Sequence, residues 1–302
     1  MRLRVTLQLP ARPVRDVGTA LDGATALLIG HGYVARALDP ALRRAGVVVR
    51  HTVRDADTAL GPDAVPFGSD AMRAAFEAAD LVLVSVPPAR GGSDPALLAL
   101  HGARSRARWI GYLSATSVYG DRAGGWAFEG EAPTPGLARG VRRAEAELAW
   151  LEAHPQTQIF RLAGIYGPGR APFERLRAGT ARIIDAPGHV VNRIHVDDIV
   201  SALLASVARP SPQDIYNIAD GHPAPPGEVL RHAAALIGLD PPPVVALDSP
   251  NVSVMARSFY AETKRIDTAR IRERLGWVPR HPTYGSGLRA VLEAERSASE
   301  PS

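Results

Sequence analysis

Gly30, Gly32 and Ala35 stand in the string Leu27-Leu28-Ile29-Gly30-His31-Gly32-Tyr33-Val34-Ala35, where an apolar run of strand character breaks into Gly-x-Gly-x-x-Ala. A segment of helical period follows, from Val34 to Ala45, and closes at Gly46. Such a turn suits a pyrophosphate. The first glycine makes the tight turn and the second lets backbone approach the phosphates. The third small residue lets the helix pack on the strand, and the helix N-terminus attracts negative charge. The turn follows one strand, opens a helix and meets a second strand over Val47 to Thr52, so it reads as a site for NAD or NADP. A glycine turn that binds nothing is the alternative. His31, Tyr33 and Val34 are the side chains that the turn would present to the cofactor. Arg54 ends the second strand, where an acidic residue would hold the ribose diol of NAD. An arginine there suits the 2′-phosphate of NADP, while the neighbouring Asp55 leaves NAD open. Ser85, Val86, Pro87 and Pro88 stand at the end of a fourth strand and are expected to wall the nicotinamide ribose.

His195 is a second residue with chemistry available, since an imidazole titrates near neutrality. It sits on a strand leading into Asp197 and Asp198, which read as helix N-cap residues, so a structural histidine is expected. With no cysteine in the chain, disulfides, thiolate catalysis and Cys-ligated metals are excluded. No His-x-x-x-His string or carboxylate cluster has metal-ligand spacing, and no metal is expected.

The elements that must position these residues alternate along the chain. Strands are expected at Ala26–Ile29, Val47–Thr52, Ala64–Phe67, Leu81–Val86, Trp109–Leu113, Ile159–Leu162, Asn192–His195 and Tyr216–Ala219. Helices are expected at Val34–Ala45, Asp70–Ala79, Pro95–Ala103, Ala138–Ala153 and Asp197–Val207. This order implies an α/β fold, a Rossmann-type doubly wound parallel sheet with right-handed crossovers. Pro- and Gly-rich segments after Gly164 imply a small C-terminal substrate lobe. The expected organisation is an N-terminal extension over residues 1–24, an NAD(P)-binding core over 25–165, and over 166–302 the remaining strands interleaved with that lobe. Val5, Leu7 and Leu9 alternate, as in a short added strand, with an untied extension or a misassigned start codon as equal alternatives.

Bulk composition agrees with a folded enzyme-sized chain. Of 302 residues 46% are hydrophobic and 22% charged, which argues against disorder. No apolar stretch is long enough for a membrane span, and Pro10, Arg12, Pro13, Arg15 and Asp16 interrupt any signal-peptide core, so a cytoplasmic protein is expected. The sequence pI is 9.7, yet net charge is only +4, and all basic residues but Lys264 are arginines spread along the chain. That pattern is not a nucleic-acid footprint.

Six landmarks in order carry a family resemblance. They are the Gly30–Ala35 turn, Ser85-Val86-Pro87-Pro88, Tyr112-Leu113-Ser114-Ala115-Thr116-Ser117-Val118-Tyr119-Gly120-Asp121, Phe160 to Gly169, Ile194-His195-Val196-Asp197-Asp198, and Leu275-Gly276-Trp277. The chain resembles the extended short-chain dehydrogenase/reductases, relatives of nucleotide-sugar epimerases, and within them the atypical YeeZ-like subgroup. The resemblance implies an NAD(P)-dependent oxidoreductase or epimerase-like enzyme on a small-molecule substrate, anionic or a nucleotide-sugar, with a homodimer allowed. It also implies a hydroxyl at the end of strand five and a Tyr-x-x-x-Lys pair on the next helix. Counting from Val118-Tyr119-Gly120, the hydroxyl position falls on Ala115, between Ser114 and Thr116. With Glu147 set at the family's glutamate, Arg139 takes the tyrosine position and Arg143 the lysine position. A second register gives Leu137 and Val141, and neither supplies a tyrosine. Arginine cannot exchange a proton as tyrosine does. Thr116, Ser117, Tyr166 or a water held by Arg139 are then the candidate proton sources. Arg139 and Arg143 are candidates to clamp an anion, and Ser114 lies on the cofactor side. A non-catalytic NADP(H)-binding sensor is the rival reading. One Tyr-x-x-x-Lys string does occur, Tyr260-Ala261-Glu262-Thr263-Lys264, far downstream. It is expected to be an exposed lobe segment with Lys264 and Arg265 solvated, and a relocated catalytic pair is the alternative.

Overall fold

The computed structural model describes residues 21–54, 61–250 and 252–299. The alternation at Val5, Leu7 and Leu9, and Asp55 beside Arg54, lie outside the described residues. The first half runs β1 (Thr25–Ile29), α1 (Tyr33–Arg44), β2 (Val48–Val53), β3 (Ala64–Pro66), α2 (Asp70–Ala78), β4 (Leu81–Val84), α3 (Pro95–Ala99) and β5 (Trp109–Ala115). A 3-10 turn over Thr116–Tyr119 leads to β6 (Trp126–Ala127), α4 (Ala138–Ala153), β7 (Thr157–Leu162) and β8 (Gly164–Tyr166). Then follow α5 (Phe173–Arg177), β9 (Ile183–Asp185), β10 (Arg193–His195), α6 (Val196–Ala208) and β11 (Ile215–Ile218). The last elements are α7 (Pro226–Leu236), β12 (Val244–Ala246), α8 (Val254–Phe259), β13 (Arg265–Ile266), α9 (Ala269–Leu275) and α10 (Tyr284–Ser299).

Leu81-Val82-Leu83-Val84 has no polar side chain because β4 is buried on both faces of a seven-stranded sheet. That sheet has the order β11-β7-β5-β4-β1-β2-β3, and every pairing in it is parallel. Successive residues point to opposite faces. Leu28, Leu83 and Phe160 join the core on one side, while Leu27, Val82 and Ile159 join the core on the other. The strand order reverses between β1 and β4, and ligands of such sheets bind at the carboxyl ends beside that switch point. The doubly wound Rossmann-type architecture expected from the sequence is thus the one observed.

Three two-stranded parallel sheets, β8 with β10, β9 with β12 and β6 with β13, lie outside the main sheet. A third apolar cluster, built on Tyr166, Phe173, Leu288 and Leu292, serves the segments around them. Among the described residues no helix is long and apolar enough to cross a membrane.

Boundaries shift where side chains compete with the ladder. β4 stops at Val84 rather than Val86, because the Ser85 hydroxyl donates to the carbonyls of Ile29 and Gly30 and two prolines follow. β5 runs on to Ala115, as Ser114 and Ala115 still pair with Arg161 and Leu162 of β7. α3 ends at Ala99, well before Ala103, with Leu100 as its C-cap. The expected N-cap at Asp197 or Asp198 is corrected. His195 caps α6, its Nδ1 accepting from the Asp197 N–H, and Asp198 is carried into the first turn. There its buried carboxylate accepts from the N–H groups of Arg280 and His281, pinning a distant loop.

Candidate functional site

Gly30 adopts φ +88°, and a Cβ there would stand 2.7 Å from Ser85 Oγ and 2.9 Å from Val86 Cγ2. Only glycine serves at that turn. Thr52 Oγ1 at the end of β2 accepts from the Gly30 N–H at 2.8 Å, so the turn is tied to two neighbouring strands. Gly32 is the N-cap of α1 and brings no side chain to the first orphan N–H groups, and the first turn holds no acidic residue. A Cβ on Gly32 would meet nothing within 4 Å. The helix therefore presents uncapped donors to open space, and Val34 and Ala35 are buried against the sheet behind them. This is a cradle of the kind a dinucleotide phosphate fits.

Tyr33 closes the cradle on its far side. Its hydroxyl donates to the Pro168 carbonyl at 2.8 Å, and Arg170 lies over its ring at 4.6 Å. The resulting cleft of about 330 Å³ is lined by Gly32, Tyr33, Val34, Ser85, Ser114, Arg143 and Arg170, among others. It adjoins a cavity of about 490 Å³ that shares Ala115, Leu162 and Ala163 with it. That cavity in turn shares Arg193, Phe259 and Tyr260 with a third, of about 660 Å³, ringed by Arg170, Arg175, Arg182 and Arg193 against the single acid Glu174. The cofactor candidates Gly32, Tyr33, Val34, Ser85 and Ser114 are thus brought together. Val86 and Pro87 flank the turn without lining the cleft, His31 stacks on His51 at 3.8 Å, and Arg54 is exposed at the end of β2.

The candidate catalytic residues separate. Thr116 and Arg139 line the 490 Å³ cavity, Arg143 lines the 330 Å³ cleft, and Tyr166 lines the 660 Å³ cavity. The two arginines, candidates for an anion clamp, take partners from different elements. Arg139 donates to Ser258 Oγ and the Ser258 carbonyl at 2.9 and 3.0 Å, with its guanidinium over Phe259. Arg143 donates to the Tyr112 hydroxyl and the Leu113 carbonyl at 3.0 and 2.9 Å. Ser114 is engaged too, donating to Glu147, which is paired in turn with Arg161 at 2.7 Å, both nearly inaccessible. Burial pushes the Tyr166 phenol well up, and its hydroxyl has no partner.

A larger correction concerns the downstream string. Lys264 is buried, not solvated, and its Nζ pairs with Glu262 Oε2 at 2.9 Å. Arg265 is half-buried and donates to the Gly124 carbonyl. Tyr260, Glu262 and Lys264 all line the 490 Å³ cavity with Ala115 and Arg139. The expectation failed because it used chain distance, whereas the pairing of β13 with β6 folds this segment back over the end of β5. His189 and Arg193, also in the lining, had no local signal in the sequence.

Local spacing was also a poor guide to side-chain clusters. His31, Asp39 and His51 lie together, as do His195, Asp197 and His281, each set with ligand atoms within 4.8 Å of one another. In the second set burial holds His195 down to about 4, with Asp197 opposing and His281 assisting. A histidine depressed in the folded state lowers stability as pH falls through the interval between its ordinary and folded values, because the unfolded chain takes up the proton first. Going from pH 7 to pH 4, His195 should therefore cost about 3 kcal/mol. Asp220, pushed up to about 7 by burial, works in the opposite direction across the same window. The check is comparative. His195→Asn keeps an acceptor for the Asp197 N–H, and urea unfolding should show it losing about 3 kcal/mol less than the native chain on acidification. Equal acid losses would remove His195 as the cause.

No family model matches the chain. It is 41% identical to a conserved protein of unknown function from Silicibacter pomeroyi DSS, with a TM-score of 0.79 over 90% of this chain and 99% of that one. It is 34% identical over 175 residues to protein YeeZ of Escherichia coli K12, covering 57% of this chain and 58% of YeeZ. These matches support a place among the atypical short-chain dehydrogenase/reductases and epimerases. Another curated relative, the 3-diazoavenalumate denitrifying reductase of a Streptomyces species, is 32% identical over 168 residues, 52% of this chain and 55% of that protein. The matches thus span little more than half the length of these curated relatives. More distant structures share the fold. MoeE5 in complex with UDP-glucose and NAD has a TM-score of 0.74 at 21% identity, over 91% of this chain and all of the other. Human epimerase family protein SDR39U1 (isoform 2) with NADPH has 0.73 at 14%, over 89% and 99%.

Proposed function

We propose that the protein binds NADP or NAD over the Gly30–Val34 turn and uses it in an oxidoreductase or epimerase-like reaction on a small anionic molecule. The observation that carries this reading is the uncapped N-terminus of α1 opening beside Gly32 into a cleft continuous with an arginine-ringed cavity. The dinucleotides named in two relatives, NAD and NADPH, support it. So do the ligands named for MoeE5 and for the Streptomyces reductase, UDP-glucose and 3-diazoavenalumate, since both are anions. Hydride transfer is the chemistry that a nicotinamide supplies when bound. The chain's own part is to seat the phosphates on α1, to orient the nicotinamide beside Ser85 and Ala115, and to hold the substrate's negative charge against Arg193 and its neighbours. Titration of the chain with NADPH by calorimetry tests the reading, and absence of binding overturns it.

Arg54, exposed at the end of β2, is proposed to meet the 2′-phosphate. A hydrogen bond to a charged group contributes about 1.5–3 kcal/mol, so NADPH should bind roughly tenfold or more tightly than NADH, and Arg54→Ala should erase the difference. Equal affinities in the native chain count against it.

The second reading is a non-catalytic NADP(H)-binding sensor. It is favoured by the engagement of Arg139 and Arg143 with Ser258 and Tyr112, at the positions where the resemblance implies tyrosine and lysine. NADPH binding with no oxidation at 340 nm in the presence of anionic carbonyl compounds is the result it requires.

A further inference from the structure

The resemblance sets Ala115 and Arg139 at two of the family's proton-handling positions, yet the cavity these two border is not without a phenol. Tyr260 faces it from the C-terminal segment, half-buried, its ring against His189 at a centroid distance of 4.7 Å. We infer that Tyr260 is the proton donor of this site, reaching the substrate in the 490 Å³ cavity from the C-terminal segment instead of from the usual helix. The inference rests on the dinucleotide reading above.

Three observations carry it. The segment bearing Tyr260 is fixed at both ends rather than loose. Upstream, Arg139 holds Ser258 by two hydrogen bonds and stacks on Phe259. Downstream, the Thr263 N–H donates to Asp121 Oδ1 at 2.7 Å, the Thr263 carbonyl accepts from the N–H groups of Arg122 and Gly124, and the Lys264 carbonyl accepts from Asn192 Nδ2. Arg139, which the resemblance sets at the family's tyrosine position, thus holds in place the segment that brings another tyrosine.

The remaining hydroxyls serve less well. Tyr112 is committed to Arg143, and the Tyr166 hydroxyl points at the α10 backbone around Gly287. Thr116 and Ser117 are aliphatic alcohols, far weaker acids than a phenol.

Cations face the phenol from two further elements. Arg193 of β10 and Arg175 of α5 both favour its ionised form, against the upward push of burial. The nearby Lys264 is neutralised by Glu262, so the cation in the family's lysine role is Arg193, and the Tyr-x-x-x-Lys spacing is incidental. His189, its imidazole pushed below its ordinary value by burial, and Arg139 also stand around the ring.

The step balances simply. A carbonyl carbon of the substrate accepts a hydride from the reduced dinucleotide, the C=O π pair takes the phenolic proton of Tyr260, and the alcohol leaves with the dinucleotide oxidised. Water then reprotonates the phenolate, which Arg193 stabilises meanwhile. In the reverse direction Tyr260 takes the proton.

The test uses the full chain and two probes. 4-Nitrophenolate, an inert oxyanion read by its visible absorbance, should bind in the cavity, and Tyr260→Phe should weaken it roughly tenfold or more through loss of a charge-assisted hydrogen bond. With 4-carboxybenzaldehyde and NADPH, Tyr260→Phe should lower kcat by about 10²–10⁴-fold, the usual worth of a general acid. NADPH affinity should stay unchanged. Failure of the native chain to bind 4-nitrophenolate, or equal binding by native chain and Tyr260→Phe, overturns the role of Tyr260. Failure of the native chain to bind NADPH is the separate result that overturns the dinucleotide reading.

Discussion

Gly32→Val should abolish dinucleotide binding while leaving the fold intact, and this is the largest functional effect expected of a single substitution. Gly32 has φ −81° and ψ −167°, extended backbone open to any residue, and a Cβ built on it touches nothing within 4 Å. The substitution therefore introduces no clash within the protein, and stability should change by no more than about 0.5 kcal/mol. The branched side chain instead fills the space through which the N-terminus of α1 would meet a pyrophosphate. Loss of affinity for NADPH of roughly 100-fold or more, equivalent to about 2.7 kcal/mol, is expected. Gly30→Ala makes the contrasting control. Its φ of +88° and the contacts with Ser85 and Val86 mean that the fold itself would give way. Titration calorimetry with parallel thermal melts separates the two, and a Gly32→Val protein that binds NADPH as tightly as the native chain would end the proposed placement.

The contrast between these glycines also shows what a sequence can reveal. The glycine turn, the buried hydrophobic β4 and helix α4 were legible because each depends on neighbours in the chain. Tight turns, period and capping act over a few residues, and the doubly wound order follows from their alternation. The site on the substrate side was not legible in the same way. Arg139 and Arg143 read as neighbours on one helical face, but each guanidinium takes partners from a different element, Ser258 from the C-terminal segment and Tyr112 from β5. Lys264 read as a solvated cation, and its burial depends on the pairing of β13 with β6, a contact between segments more than a hundred residues apart. Such placement is set by long-range strand pairing and not by any local pattern. The clue in the sequence was the Tyr260-to-Lys264 string, whose spacing suggested chemistry for a reason that the fold does not use.

A second large effect is expected at Glu147, and it concerns stability before function. Glu147 lies on α4, Arg161 on β7 and Ser114 on β5, all three buried. Arg161 donates through Nε and Nη2 to the carboxylate, Nη2 to Oε2 at 2.7 Å, and Ser114 donates to Oε1. The Arg161 guanidinium also lies over the Tyr119 ring at 4.8 Å. Removing the carboxylate alone would leave a guanidinium charge with no counter-ion inside the sheet edge, so Glu147→Ala should destabilise the fold by about 3–5 kcal/mol. Against a total of about 5–15 kcal/mol, that loss is severe. Joint replacement by Glu147→Leu and Arg161→Met should be much milder, since apolar groups of similar size carry no desolvation cost. Urea midpoints at constant slope measure both, and a Glu147→Ala protein within about 1 kcal/mol of the native chain would show that the pair is not the tie it looks to be. The pair also fixes the end of β5, where Ser114 borders the cofactor cleft and Ala115 borders both that cleft and the cavity faced by Tyr260. In the double variant, restored stability with weakened NADPH binding would therefore separate what the ion pair does for folding from what it does for the shape of the site.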